Sequence, residues 1–243
     1  MAVTASFLVI GDEILSGKTK DKNVGVLADA LTMAGIDLVE VRIVPDEQPA
    51  IIGALNALRG HTSYVFTSGG IGPTHDDITA DAVAAAFDVA IDVDPRARAL
   101  LQAWYDQTGR EMNDARLRMC RLPSGADLIE NPVSIAPGFK IGNVHVLAGV
   151  PSVFEAMLGS ILPTLEGGQK VESRVLPFNC GEGDLAGPLR ELDSEHPAVS
   201  IGSYPKIKDG LFTTEIVLRS RDRDALDAAA LAAQKLRTQL NAA

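Results

Sequence analysis

Short apolar runs alternate with longer amphipathic segments along the first two-thirds of the chain. Apolar runs of strand length occur at residues 7–10, 38–44, 64–67 and 145–147. Apolar residues recur at helical spacing in residues 24–33, 50–58, 79–87, 95–105 and 151–162. Continuous apolar strands separated by helices are typical of a parallel sheet whose two faces are covered. The pattern predicts an α/β domain with a mostly parallel sheet over residues 1–166.

Residues that typically begin or end helices and strands support the boundaries of these elements. The first strand stops at Gly11 and the first long helix stops at Gly35, a residue common just past helix ends. Thr79 or Asp81 is expected to cap the helix that follows the third strand, and Asp94, with a proline after it, to open the next one. Residues 131–138 contain Asn-Pro and Pro-Gly pairs, which predict an irregular stretch of turns.

A second, smaller pattern follows residues 165–169, whose composition is that of a linker. Strand-like segments at 171–176, 200–204 and 211–218 and helical segments at 184–192 and 223–240 give the order βαββα. We therefore expect a small C-terminal α+β domain over residues 170–243.

Composition narrows the class of protein. Hydrophobic residues make up 46% of the 243 residues and charged residues 22%, the balance of a globular protein with a real core. The net charge of -10 argues against binding to nucleic acid, which needs clustered Lys and Arg. Two cysteines are too few for a disulfide framework and are expected to be reduced thiols. With neither a signal peptide nor a membrane span in the sequence, we expect a cytoplasmic protein without a membrane partner.

The strongest chemical signal is the glycine-rich segment at residues 68–79, between the third strand and the next helix. Glycines let the backbone turn sharply and bring N–H groups close to a phosphate, and ligands of open parallel sheets lie at this edge. The alternative is a sharp turn without a ligand. The residues expected to contact a phosphate-bearing small molecule are Ser68, Gly69, Gly70, Gly72, Pro73, Thr74 and Thr79.

Three carboxylates accompany this loop. Asp76 and Asp77 are adjacent within it, and Asp12 follows the first strand at the same sheet edge. Carboxylate oxygens suit a hard divalent cation that bridges to phosphates, so we expect all three to hold a metal and to act in catalysis. The alternatives are a helix cap for one of the pair and a plain loop residue for Asp12. His75 could bind metal or act as a base, although a solvated loop histidine is the simpler interpretation.

Several segments together resemble the molybdopterin-binding domain family, and within it the N-terminal part of competence/damage-inducible proteins. The resemblance rests on residues 11–17 (GDEILSG), residues 67–79 (TSGGIGPTHDDIT), and the later segments 131–139 and 148–151. It implies a three-layer α/β fold, with the glycine loop and Asp12 facing a pterin- or nucleotide-type phosphate. Residues 170–243 resemble the small middle domain of those proteins, which has a KH-like topology.

The resemblance also implies a function. Relatives include metal-dependent pyrophosphatases that act on ADP-ribose, so we expect hydrolysis of ADP-ribose or a similar dinucleotide with magnesium, manganese or cobalt. The alternative is a non-catalytic protein that binds molybdopterin for cofactor synthesis or sensing. A homo-oligomer is expected, either a dimer or a trimer. The amidohydrolase domain of longer competence-type proteins is not expected within these 243 residues.

Overall fold

The computed structural model describes residues 3–208 and 211–241. It divides into two compact units, Met1–Gly168 and Gln169–Ala243. The strands of the first unit are β1 Thr4–Ile10, β2 Asp37–Val44, β3 Tyr64–Ser68, β4 Ile91–Val93, β5 Arg121–Pro123, β6 Asp127–Ile129, β7 Gly138–Ile141 and β8 Val144–Leu147. Its helices are α1 Asp12–Leu15, α2 Asn23–Ala34, α3 Gln48–Arg59, α4 Thr79–Phe87, α5 Pro95–Thr108, α6 Asp114–Arg118 and α7 Pro151–Ile161, followed by a 3-10 turn at Leu162–Thr164.

The main sheet of the first unit has six strands in the order β2-β1-β3-β8-β7-β6. The first four are parallel to one another, whereas β7 runs antiparallel to both of its neighbours. Strand β4 pairs with β5 in a separate two-stranded ribbon. The predicted α/β class with a mostly parallel sheet is therefore confirmed.

Side-chain alternation along β1 explains the three layers. Leu8 and Ile10 point into a core shared with helices α3, α4 and α5. Phe7 and Val9 point into a second core shared with helices α2 and α7. Because successive strand residues face opposite sides of a sheet, an unbroken apolar run requires cover on both faces. The helices on both faces provide that cover, which confirms the expected three-layer fold.

Two local expectations need correction. Neither Thr79 nor Asp81 caps α4, since Ile78 occupies the cap position without a side-chain hydrogen bond. The Thr79 hydroxyl instead donates to the Gly69 carbonyl at 3.0 Å, and Asp81 pairs with Arg121 at 2.7 Å. Tertiary partners outcompete the local cap at both positions. The expected helix start at Asp94 and Pro95 is confirmed, and the Asp94 carboxylate also accepts N–H groups of the first turn of α5.

The second unit contains β9 Glu172–Phe178, α8 Glu182–Glu195, β10 Ser200–Lys208, β11 Leu211–Ser220 and α9 Arg223–Asn241. Its antiparallel sheet has the order β10-β11-β9, so the predicted βαββα order is confirmed. Alternate residues of β11, Ile216 and Leu218, are fully buried in a core with Leu185 of α8 and Leu226 of α9. The small domain thus buries one face of its sheet under both helices.

Candidate ligand-binding site

Three parallel strands end side by side and bring their following loops together. The Gly69 N–H, after β3, donates to the Leu147 carbonyl at the end of β8 at 3.3 Å. A Cβ on Gly69 would lie 2.1 Å from the Ile10 carbonyl oxygen at the end of β1, and one on Gly149 would lie 3.2 Å from the Gly69 Cα. Gly69 also has φ of 102°. Only glycine fits where the three strand ends converge.

The glycine loop is held in shape by Asp77. Its Oδ1 accepts the Gly72 N–H at 2.7 Å, and its Oδ2 accepts the Thr74 N–H at 2.8 Å and the Thr74 hydroxyl at 2.6 Å. We call this set of hydrogen bonds the Asp77 clasp. At the other end of the loop, the Thr79 N–H donates to the Gly70 carbonyl at 3.0 Å. The carboxylate of Asp77 therefore holds the folded loop together, and its predicted role as a metal ligand stays a prediction.

Arg118 binds the main chain of the same loop. Its guanidinium Nη2 donates to the main-chain carbonyl of Asp77 at 3.1 Å and lies 3.9 Å from the Asp81 carboxylate. Asp81 in turn forms a bidentate pair with Arg121, at 2.7 and 3.0 Å. Sequence reasoning missed both arginines, because nothing in the local pattern of residues 118–121 indicates that they return to a loop 40 residues earlier.

A cavity of about 580 Å³ opens beside the loop, within the size range of small-molecule sites. Gly70 and Ile71 line it, and their N–H groups have no hydrogen-bond partner among the described residues. Gly149, Val150 and Pro151 form another part of the wall. The wall of the cavity therefore includes two residues whose backbone donors have no partner among the described residues.

Carboxylates lie in and beside the same cavity. Glu13, Asp46, Asp76 and Asp77 line it, and the Asp12 N–H donates to Asp46 Oδ2 at 2.9 Å. Partial burial raises the pKa of the Asp46 carboxyl, and the negative charges of Asp12, Glu13 and Asp76 raise it further, while the Asp12 N–H opposes them. Asp46 was missed from sequence, although it follows β2 as Asp12 follows β1. Four acidic side chains thus share one electrostatic environment.

The predicted catalytic and metal-binding residues occupy different surroundings. Asp76 is exposed. His75 is 99% exposed and lies 3.9 Å from Asp76, which agrees with a solvated loop histidine. Among residues 3–208 and 211–241, no group of three or more His, Cys, Asp or Glu is arranged to hold a metal ion. Metal binding by Asp12, Asp76 and Asp77 stays a prediction.

The remaining predicted ligand contacts divide into two groups. Ser68 and Thr79 are buried and do not line the cavity. Gly69, Gly70, Gly72 and Pro73 line the cavity, whereas exposed Thr74 lines a shallower depression beside it. Asn131 and Ser134 also line the cavity. The sequence predicted turns at residues 131–138 but did not indicate that this segment lies beside the glycine loop. Asn131 accepts the Val133 and Ser134 N–H groups at 3.1 Å, which fixes that turn.

Two protein-family models match the chain, one for each unit. The family model for a probable molybdopterin binding domain matches residues 6–167, and the model for the middle domain of FAD synthase matches residues 170–243. In the part of the chain that the structure describes, no helix is long and apolar enough to cross a membrane.

Individual relatives agree with these matches. A protein of Aeropyrum pernix is 34% identical over 211 residues, covering 83% of this chain and 79% of that protein. A CinA-like protein of Geobacter metallireducens is 34% identical over 250 residues, which cover 95% of this chain but only 59% of that protein. The crystal structure of the protein CinA from Thermoplasma acidophilum, whose function is described as unknown, is 32% identical with a TM-score of 0.62. It covers 67% of this chain and 98% of that one.

Proposed function

The chain belongs to the molybdopterin-binding domain family, and from this premise we propose that its glycine loop binds a phosphate-bearing nucleotide or pterin. We further propose that the protein is a metal-dependent pyrophosphatase acting on ADP-ribose or a similar dinucleotide. The observation that carries the proposal is that the N–H groups of Gly70 and Ile71 have no partner within the described part of the chain, and that both residues line a cavity that also contains carboxylates. We also propose a cytoplasmic location, because the reduced thiols expected for both cysteines persist in a reducing compartment.

Phosphate binding would use the backbone rather than basic side chains. Main-chain N–H groups in a tight glycine turn form a concave site for anions, and the Asp77 clasp keeps this turn in shape. Because the loop is already folded, few of its torsions would be ordered on binding, so less binding energy is lost. A protein with a net charge of -10 can bind an anion in this way.

The carboxylates present fit a divalent cation that takes its remaining ligands from phosphate and water. Magnesium is commonly held by one or two carboxylates together with substrate phosphates and water, so a complete cage of protein ligands is not required. Asp12 and Asp76, supported by Asp46, are the carboxylates that would hold the ion. A bound magnesium, manganese or cobalt ion would supply charge neutralisation at the phosphates and an activated water.

The protein's own groups would perform the remaining tasks in hydrolysis. Water adds to one phosphorus of the pyrophosphate, the bond from that phosphorus to the bridging oxygen breaks, and the bridging oxygen leaves with the other phosphate. For ADP-ribose the products are AMP and ribose 5-phosphate. The N–H groups of Gly70 and Ile71 would stabilise the negative charge that develops on the phosphate oxygens, and Asp46 would orient Asp12 by accepting its N–H.

The direct test measures AMP formation from ADP-ribose and FAD, with an added phosphatase that releases phosphate from the product. Native protein is compared with Asp12→Asn and Asp76→Asn, each with magnesium, manganese, cobalt or EDTA. Asp29→Asn is the matched control, because Asp29 is an exposed aspartate on α2. We expect turnover that requires metal, falls at least about 100-fold in the two site variants, and is unchanged in the control.

Calorimetry with ADP-ribose and with a pterin phosphate separates the alternatives. Binding of the pterin phosphate without turnover of any dinucleotide would replace the hydrolase with a non-catalytic molybdopterin-binding role. Turnover that persists in EDTA would remove the metal from the proposal. If neither compound binds in the presence of metal, the loop is not a phosphate site and the proposal is wrong.

A further inference from the structure

The side-chain amide of Asn23 presents a buried acceptor. Asn23 begins α2 and is 4% exposed. Its Nδ2 donates to the Gly149 carbonyl at 2.8 Å, and this bond fixes which way the amide group is turned. The Asn23 Oδ1 atom has no hydrogen-bond partner among the described residues. Because an unpaired buried acceptor costs free energy, this atom indicates that a donor group binds beside it.

Asn23 forms part of the wall of a small recess, which we call the side recess. The side recess has a volume of about 50 Å³ and is also lined by Ser68, the last residue of β3. The glycine loop begins at the next residue, Gly69. Several residues line both the side recess and the main cavity, namely Ile10, Glu13, Thr19, Gly149 and Pro151. The side recess therefore adjoins the loop that we propose to bind phosphate.

The side recess suits a neutral group that donates hydrogen bonds. Two acidic residues, Glu13 and Asp21, and two basic residues, Lys20 and Lys22, line it, so their charges balance and favour neither an anion nor a cation. Asn23 Oδ1 and the two carboxylates are acceptors. A volume of about 50 Å³ holds about three or four water-sized groups. This space accommodates the hydroxyl-bearing edge of a sugar but not an aromatic base.

We infer that the side recess binds the hydroxyl groups of a ribose whose phosphate lies on the glycine loop. This inference rests on the proposed phosphate site and extends it to the sugar. Asn23 Oδ1 accepts a hydrogen bond from one ribose hydroxyl, and the Glu13 carboxylate accepts one from the neighbouring hydroxyl. A nucleotide joins ribose to phosphate through one methylene group and one oxygen, so the two subsites must be adjacent, as Ser68 and Gly69 are. A ribose subsite favours a nucleotide over a pterin as the ligand.

Deoxy analogues of ADP-ribose test the inference by calorimetry in EDTA, which prevents the proposed metal-dependent turnover. Four analogues each lack the 2-hydroxyl or the 3-hydroxyl of one of the two riboses. A site that hydrogen-bonds a hydroxyl rejects an analogue without it, because the buried acceptor is left unpaired. We expect at least one analogue to bind native protein at least about tenfold more weakly than ADP-ribose does.

Variants show whether Asn23 is the acceptor. In Asn23→Ala, the difference in affinity between that analogue and ADP-ribose should disappear, whereas a merely structural effect would weaken both ligands equally. Glu13→Gln, at an exposed position, should reduce the difference for the neighbouring hydroxyl, and it decides the test if Asn23→Ala does not fold. The matched control is Asn143→Ala. Asn143 also donates to main-chain carbonyls, at 3.0 and 3.1 Å, but it precedes β8 rather than following it, so this variant should keep the native difference.

Two results would overturn the inference while the phosphate site stands. One is native protein that binds ADP-ribose and all four analogues equally. The other is a difference that keeps its full size in folded Asn23→Ala, or in Glu13→Gln if Asn23→Ala does not fold. If native protein does not bind ADP-ribose with or without metal, the phosphate proposal is wrong and the ribose subsite is wrong with it.

Discussion

The Asp77 clasp yields a quantitative prediction that separates a structural role of Asp77 from metal binding. Asp77→Ala removes three hydrogen bonds to a carboxylate, from the Gly72 and Thr74 N–H groups and the Thr74 hydroxyl. At about 1 kcal/mol net for each bond in this partly exposed loop, the folded loop loses about 3 kcal/mol. If the loop then opens, the apparent affinity for a phosphate ligand falls by up to about 100-fold, even without metal.

Calorimetry with ADP-ribose in EDTA measures this loss, and amide hydrogen exchange at Gly72 and Thr74 measures loop opening without any ligand. The matched control is Asp76→Ala, which removes the neighbouring exposed carboxylate but none of the clasp. We expect faster exchange and weaker metal-free binding in Asp77→Ala alone. If exchange is unchanged and the two variants lose affinity equally, and only when metal is present, Asp77 acts as a metal ligand and the clasp reasoning is wrong.

Three further predictions concern buried or crowded groups. Asp46→Asn keeps an acceptor for the Asp12 N–H and removes a carboxylate whose pKa is raised by burial and by neighbouring carboxylates. The melting temperature of metal-free protein at pH 7 should therefore rise. An unchanged or lower melting temperature would contradict the proposed repulsion. Burial, and then Lys140, lower the pKa of His145 from 6.5 to about 4, so the unfolded chain binds this proton first as the pH falls. Urea titrations should show that native protein loses roughly 2 kcal/mol between pH 7 and pH 5 that His145→Phe retains; equal losses would contradict the assignment. Gly69→Ala adds a Cβ 2.1 Å from the Ile10 carbonyl oxygen at a φ of 102°, and denaturation should show a loss of about 3 kcal/mol, whereas Gly159→Ala, with open space around its Cβ, should be neutral or stabilising.

Most long elements of the fold could be predicted from local pattern. The buried strands β1, β3 and β8 are continuous apolar runs, and the helices between them show helical spacing. The elements that escaped prediction are short, such as β4, β5 and β6 at three residues each and α1 at four. Segments of this length bury too few residues to produce a periodic signal. The three short strands form because their neighbouring strands supply hydrogen bonds.

The candidate site was only partly predictable. The glycine loop could be recognised from its unusual combination of glycines with polar residues. Its position after a parallel strand indicated the sheet edge. Asp46 was missed because a single aspartate after a strand is ordinary in sequence. It gains importance only when β2 and β1 place it against the Asp12 N–H. Arg118 was missed for the same reason, since its contact with Asp77 spans 41 residues.

The sequence by itself determined the layer architecture, the order of the long elements and the position of the glycine loop, because apolar periodicity and glycine use are local properties of the chain. Only the tertiary structure decided what each carboxylate does. Asp76 and Asp77 are adjacent and chemically identical, yet one is exposed and the other closes the loop through three hydrogen bonds. Their difference arises from the path of the folded backbone, which places the Gly72 and Thr74 donors around only one of them.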